Sequence, residues 1–315
     1  MPNPILIEAV AAKVESAYRT DPVPAAATDI IRLAEPFLQS FEIEHLAPNR
    51  RESVMSGGLA PVAPGVPQGR VARGRLVAEV RGAGSAYSSS NLPEVDACVR
   101  AGGYAATVDE TPGTESVTYV RADTGHESMA LYIWGEGNLF KVVGVRTAIE
   151  WLATNGEHSL FAFDWLGFLD DDPATAAKPQ ETFVTAVQQS AVGMAFAVGS
   201  WSPDHSTGTW RSGAELVAIP SANHSTGWSE IAISRFNPEL EFSAQTVPLA
   251  TYDPYADFKA ATARQIDWTI GGSQYNQADL AVVAAYLRGN PGHGDIDGFT
   301  AWPVTYLADG SIVFD

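Results

Sequence analysis

The chain has little cysteine, few cations and no long apolar run. Its single cysteine, Cys98, cannot form an internal disulfide, which suits assembly in a reducing cytoplasm. No stretch approaches the roughly 20 apolar residues of a membrane-spanning helix. The opening Met1-Pro2-Asn3-Pro4 lacks both the basic and the apolar region of a signal peptide, so neither secretion nor a membrane partner is expected. Lys and Arg total 19 against 37 Asp and Glu, a net charge of −18. Gripping phosphate takes a basic surface, so ordinary nucleic-acid binding is disfavoured, while a surface that repels DNA is compatible.

Signatures of chemistry are equally scarce. The six histidines, His45, His126, His158, His205, His224 and His293, include no pair at the i, i+4 spacing of a helical zinc site. There is no Gly-x-Ser-x-Gly elbow, no phosphate-cradling Gly-x-x-x-x-Gly-Lys and no dinucleotide fingerprint. His293-Gly294-Asp295-Ile296-Asp297 reads as a solvated turn, and Asp170-Asp171-Asp172 before Pro173 as part of a linker over residues 170–179. Cys98 shares a side with Leu92, Val95 and Val99, where a small buried hydrophobe is expected. No catalytic residue, metal or cofactor is assigned, and the chain is not expected to be an enzyme. Eight tryptophans could build a carbohydrate platform, but Trp134, Trp151, Trp165, Trp268 and Trp302 fall in strand-like alternation that points to core packing.

Hydrophobic residues make up 45% of the chain, enough for substantial cores, and their period is mostly two. Residues 141–152 place Val143, Val145, Thr147, Ile149 and Trp151 on one face; residues 160–169 place Phe161, Phe163 and Trp165 together. Thr154-Asn155-Gly156-Glu157-His158 between them predicts a hairpin turn. Residues 71–81 alternate an Arg-rich face with an apolar one. Helices are predicted from Asn91-Leu92-Pro93 to Gly102-Gly103, and from Asp253-Pro254 with Tyr255, Phe258 and Ala261 at helical spacing. Residues 5–17 fit helix or strand. Residues 47–69, with four prolines and four glycines, form a connection too long for a tight hairpin.

The second half echoes the first. Tyr132-Ile133-Trp134-Gly135 parallels Trp268-Thr269-Ile270-Gly271, and Asn155-Gly156 parallels Asn290-Pro291-Gly292 at equal spacing. An aromatic strand then closes each half, at 161–168 and 299–307, and each half carries one helix. Residues 212–227 would match the 47–69 connection, with strands 71–81 and 229–236 after them. Residues 104–127 have no counterpart. Two β domains are expected, 1–172 and 173–315.

Lys13-Val14-Glu15-Ser16-Ala17-Tyr18-Arg19-Thr20-Asp21-Pro22-Val23-Pro24 resembles the start of tail tube proteins of long-tailed bacteriophages, which reads Lys-x-Glu-x-x-Tyr-Gly-Thr-Asp-x-x-Pro. Arg19 departs from the usual glycine. Asn49-Arg50-Arg51-Glu52 through Gly57-Gly58 resembles that family's Arg-rich, Gly-containing loop, and Glu79-Val80-Arg81-Gly82 its strand ending in Arg-Gly. The helix ending in Gly102-Gly103 and the aromatic strand 131–137 follow in the family's order, covering about residues 5–170. The resemblance implies a β-sandwich or split barrel with a flanking helix. It further implies a structural virion protein without cofactor, whose stacked rings form the tail tube that delivers double-stranded DNA without binding it specifically. Its partners would be copies of itself, in hexameric or pseudo-hexameric trimeric rings, and the tape-measure, tail-terminator and distal tail proteins. The Pro and Gly content of residues 47–69 would let that connection extend to an adjacent ring, with Arg50, Arg51 and Glu52 as contacts, and the net charge of −18 leads to the expectation of a net-negative channel wall. The alternative reading is a β-sandwich binding module, carbohydrate-binding or virion-decorating.

Overall fold

Alternating apolar positions and few helix-forming runs commit this chain to strands, and the computed structural model is mainly β, with every strand pairing antiparallel. The structure describes residues 7–25, 28–34, 40–45, 70–170, 172–224, 227–296 and 298–315. The first half runs β1 (Ala9–Val14), β2 (Ile30–Ile31), β3 (Ser40–His45), β4 (Arg70–Glu79), α1 (Asp96–Ala101), β5 (Tyr104–Asp109), β6 (Ser116–Arg121), β7 (Met129–Gly135), β8 (Asn138–Thr154), β9 (Leu160–Leu169) and β10 (Ala174–Thr175). The second runs β11 (Ala195–Val198), β12 (His205–Arg211), β13 (Glu215–Pro220), β14 (Trp228–Arg235), β15 (Glu239–Gln245), α2 (Pro254–Ala260), β16 (Arg264–Ile270), β17 (Ala278–Leu287), β18 (Gly294–Ile296), β19 (Phe299–Leu307) and β20 (Ser311–Phe314).

The two halves pair their strands in the same order. In the first, β1, β7, β8, β9, β4 and β3 are successive neighbours and β10 pairs with the start of β8. In the second, β11, β16, β17, β19, β15 and β12 are successive neighbours and β20 pairs with the start of β17. α1 and α2 occupy the same place in chain order. In each half one long strand serves two layers: the start of β8 pairs with β7 and its end with β9. The change of layer falls at a bulge around Gly144. Its φ is +62°, and a Cβ there would stand 2.9 Å from Arg19 Cγ, so any side chain would be both strained and crowded.

Two pairings join the halves. The end of β8 pairs with β12, setting Glu150 opposite Arg211 and Trp151 opposite Trp210. β6 pairs with β20, setting Tyr119 opposite Ile312 and Val117 opposite Phe314. The residues without a counterpart in the second half, β5 and β6, thus bind the second half to the first. One sheet runs β3, β4, β9, β8, β12, β15, β19, β18, and one buried cluster continues through both halves. Trp151 stacks on Trp268 at 5.4 Å, Tyr104 meets Trp210 edge-on at 6.2 Å, and Phe314 lies 6.1 Å from Tyr119. Burying an aromatic of this size removes about 200 Å² of surface, worth roughly 5 kcal/mol before entropy is charged against it. The segment expected to be a linker carries β10, and Asp172 within it pairs with Arg70.

Several expectations change. α1 begins at Asp96 with no side-chain cap, because Asn91 turns its amide onto the Ser85 and Ala86 carbonyls instead. α2 is capped by Asp253 as expected, yet it buries Pro254 and Asp257 and leaves Phe258 exposed. The reason is Arg264, which holds the Asp257 carboxylate through two bonds of 2.8 and 2.6 Å. The bulge at Gly144 moves Val143 to the face opposite Val145. Residues 229–236 do not pair as 71–81 do: β14 folds back on β13 as a separate hairpin, and β15 takes the place matching β4. The second half's closing turn lies between β18 and β19 rather than at Asn290-Pro291-Gly292, and the expected solvated turn at 293–297 contains β18.

Candidate assembly surface

The residues that carry the tail-tube resemblance tie the halves together. Glu15 is buried, and its carboxylate accepts from Gly144 N at 2.7 Å, Arg19 N at 2.8 Å and Ser128 Oγ at 2.5 Å. Those three donors offset the cost of removing the carboxylate from water. The Tyr18 hydroxyl accepts from Ile231 N of β14 at 2.6 Å, and burial raises its pKa despite that bond. Arg19 has φ +60°, the left-handed conformation that glycine favours. The turn is therefore one glycine would also make, and the guanidinium it gains lies 4.3 Å over the Phe168 ring. Asp21 accepts from Val23 N at 2.8 Å and from the Tyr132 hydroxyl.

The long sheet has one face in the core and one charged face. Alternation sends Phe41, Leu76, Phe163, Trp151, Trp210, Phe242 and Val304 inward, one from each of seven successive strands. It sends Glu42, Arg73, Arg75, Asp164, Glu150, Arg211, Glu241 and Glu239 outward. Arg73 binds Glu42 at 3.3 Å, and Arg75 binds Asp164 at 3.0 Å and also Glu150. Arg211 then binds Glu150 at 2.8 Å and Glu241 at 2.6 Å, and Arg288 pairs with Glu239. The ladder Asp164, Arg75, Glu150, Arg211, Glu241 thus crosses the β8–β12 seam without a break. Burial works against the Arg75 cation, but Glu150 and Asp164 outweigh it and hold its pKa above the ordinary value. Each exposed pair adds only about 0–1 kcal/mol, so the ladder sets register and surface charge more than stability.

The two ends of this sheet are open. Among the described residues, β3 pairs only with β4 and β18 only with β19. Inside the chain the matching positions, β12 and the end of β8, are paired with each other. An unpaired edge offers a row of free backbone donors and acceptors to another strand.

Arg50, Arg51 and Glu52 lie outside the described residues. Among those described, no group of three or more His, Cys, Asp or Glu could hold a metal ion, and no helix is long and apolar enough to cross a membrane. Sequence reading found the Arg73 and Arg75 face but missed Glu150, Arg211 and Glu241, whose partners are fixed only by strand register. No family model and no curated protein matches this chain.

Proposed function

We propose that this chain is the subunit of a bacteriophage tail tube, three copies of which close a ring of six similar halves, with rings stacked into the tube. The β8–β12 seam carries this reading. It is a head-to-tail contact, made within one chain between two halves of the same strand order, and it leaves one edge of each kind free. The same contact made between copies, β18 of one against β3 of the next, closes when each half turns by about 60°. Closure also removes both open edges. The motif around Glu15, Tyr18 and Arg19 supports the reading, since its residues hold β14 of one half against the bulge of the other.

The charged face of the sheet is the channel wall in this proposal. The acid excess of the sequence led to the expectation of a net-negative wall, and the carboxylates of Glu42, Asp164, Glu150, Glu241 and Glu239, set against Arg73, Arg75, Arg211 and Arg288, support it with a small acid excess on this face. Each of these four guanidinium groups is engaged with a carboxylate, which leaves them poorly placed to hold passing phosphates. The carbohydrate-binding alternative loses support, because seven of the eight tryptophans are buried and Trp228 is half-buried. Electron microscopy and sedimentation of the purified chain test the proposal. Rings or tubes containing three chains per ring are expected; a stable monomer or dimer at high concentration overturns it, and six chains per ring overturn the trimer.

A further inference from the structure

The bulges of the two long strands are alike in register and unlike in cover. In β8, Val145 is the last residue opposite β7 and Arg146 opens the register with β9 beyond the bulge, facing Leu166; Val143 and Gly144 form the bulge. In β17, Ala285 is the last residue opposite β16 and Tyr286 opens the register with β19, facing Leu307; Val283 and Ala284 form the bulge. Val143 is 1% exposed, covered by Ile231 with Ala218 and Trp228 of the β13–β14 hairpin. Its counterpart Val283 is 88% exposed, beside Tyr286 at 43% and Leu307 at 40%. This is the most exposed large hydrophobic side chain among the described residues.

The cover over Val143 comes from a definite place in the chain. The hairpin belongs to residues 212–238, which connect β12 to β15, and β12 is the strand that pairs with β8. At the open edge the corresponding strand is β3 of a second copy, and residues 46–69 connect β3 to β4 over nearly the same length. That connection contains Leu46, Val54, Met55, Leu59, Val62 and Val66, apolar side chains of the kind the hairpin uses.

We infer that Val283, Tyr286 and Leu307 form the docking site for residues 46–69 of a second copy of this chain, seated when β3 of that copy pairs with β18. This rests on the tube reading and refines it. The segment expected to reach an adjacent ring is assigned to the neighbour within the ring.

The test is a pair of substitutions. Val283→Glu lies on the surface, so the monomer keeps its circular dichroism and its urea midpoint, while the concentration needed for assembly, read by sedimentation, rises at least tenfold. Separately, Val283→Cys and Met55→Cys chains, mixed and oxidised, give a disulfide-linked dimer; buried Cys98 does not take part. A wild-type chain that never assembles overturns both the tube reading and this inference. If wild type assembles, then a Val283→Glu chain that assembles equally well, or cysteines that fail to link two copies, overturns this inference alone.

Discussion

The halves share a strand order but differ in what they add to it. The first adds the β5–β6 hairpin, which pairs with β20 of the second. The second adds the β13–β14 hairpin, which covers the Gly144 bulge of the first, where Tyr18 meets it. The strands of matching order make up the body of each half, and the pieces without a counterpart lock the halves to each other. A repeated unit keeps its topology only if its inward positions are filled, whereas connections are free to take on new contacts. The joint between the halves is therefore encoded in both kinds of element, in shared strands at the β8–β12 seam and in the hairpins that only one half carries.

The largest effect is expected at the joint. Trp151→Ala removes a fully buried ring stacked on Trp268, and about 3–5 kcal/mol of stability goes with it. Urea unfolding then splits into two transitions if the halves are joined mainly by this core; a single shifted transition means the strand pairings hold them together. Glu15→Ala comes next. It leaves Gly144 N and the Ser128 hydroxyl buried without their acceptor, at a cost of about 1–3 kcal/mol for each unsatisfied group. Amide exchange should quicken at Gly144 and at Ile231, because Tyr18 loses its turn; protection at Ile231 unchanged from wild type would separate the two sites.

A smaller, pH-dependent effect lies in the second half alone. His205 packs on Phe196 and Phe242, and burial lowers its pKa from the ordinary 6.5, against the bond to the Pro203 carbonyl. The unfolded chain then takes up the proton more readily than the folded one, so stability present above pH 6.5 declines as pH falls through and below it. His205→Leu should flatten that slope in a urea midpoint series from pH 7.5 to 5; an unchanged slope places the titration elsewhere. The smallest effect is at Arg19. Arg19→Gly relieves a left-handed cost of about 1 kcal/mol and gives up a cation–π contact of about 0.5–1 kcal/mol, so the urea midpoint should barely move.

Much of this fold is legible in the residues, and the failures have physical causes. The aromatic alternation of 160–169 and the turn at Asn155-Gly156 appear as expected, because strand period and turn chemistry are local. The echo between Tyr132-Ile133-Trp134 and Trp268-Thr269-Ile270 marks the matching strands β7 and β16. The equal spacing to Asn290-Pro291-Gly292 does not mark matching turns, since a strand interruption and a hairpin draw on the same residue types. Helical period counts apolar residues and so does not mark Asp257; only the fold brings Arg264 to it. The charged ladder is hidden in the sequence for the same reason: Glu150, Arg211 and Glu241 lie on three strands whose register no local pattern records.

The sheet ends have a consequence for timing. β3 is placed by β4, β4 by β9, and β9 lies some ninety residues later in the chain; β18 likewise depends on β19. Such distant pairings form slowly, because loops must close before any contact is gained. Neither sticky edge exists as a flat, ordered strand until the sandwich behind it has condensed. Folding thus sets the order of events: a partly folded chain has no such edge to offer to another strand.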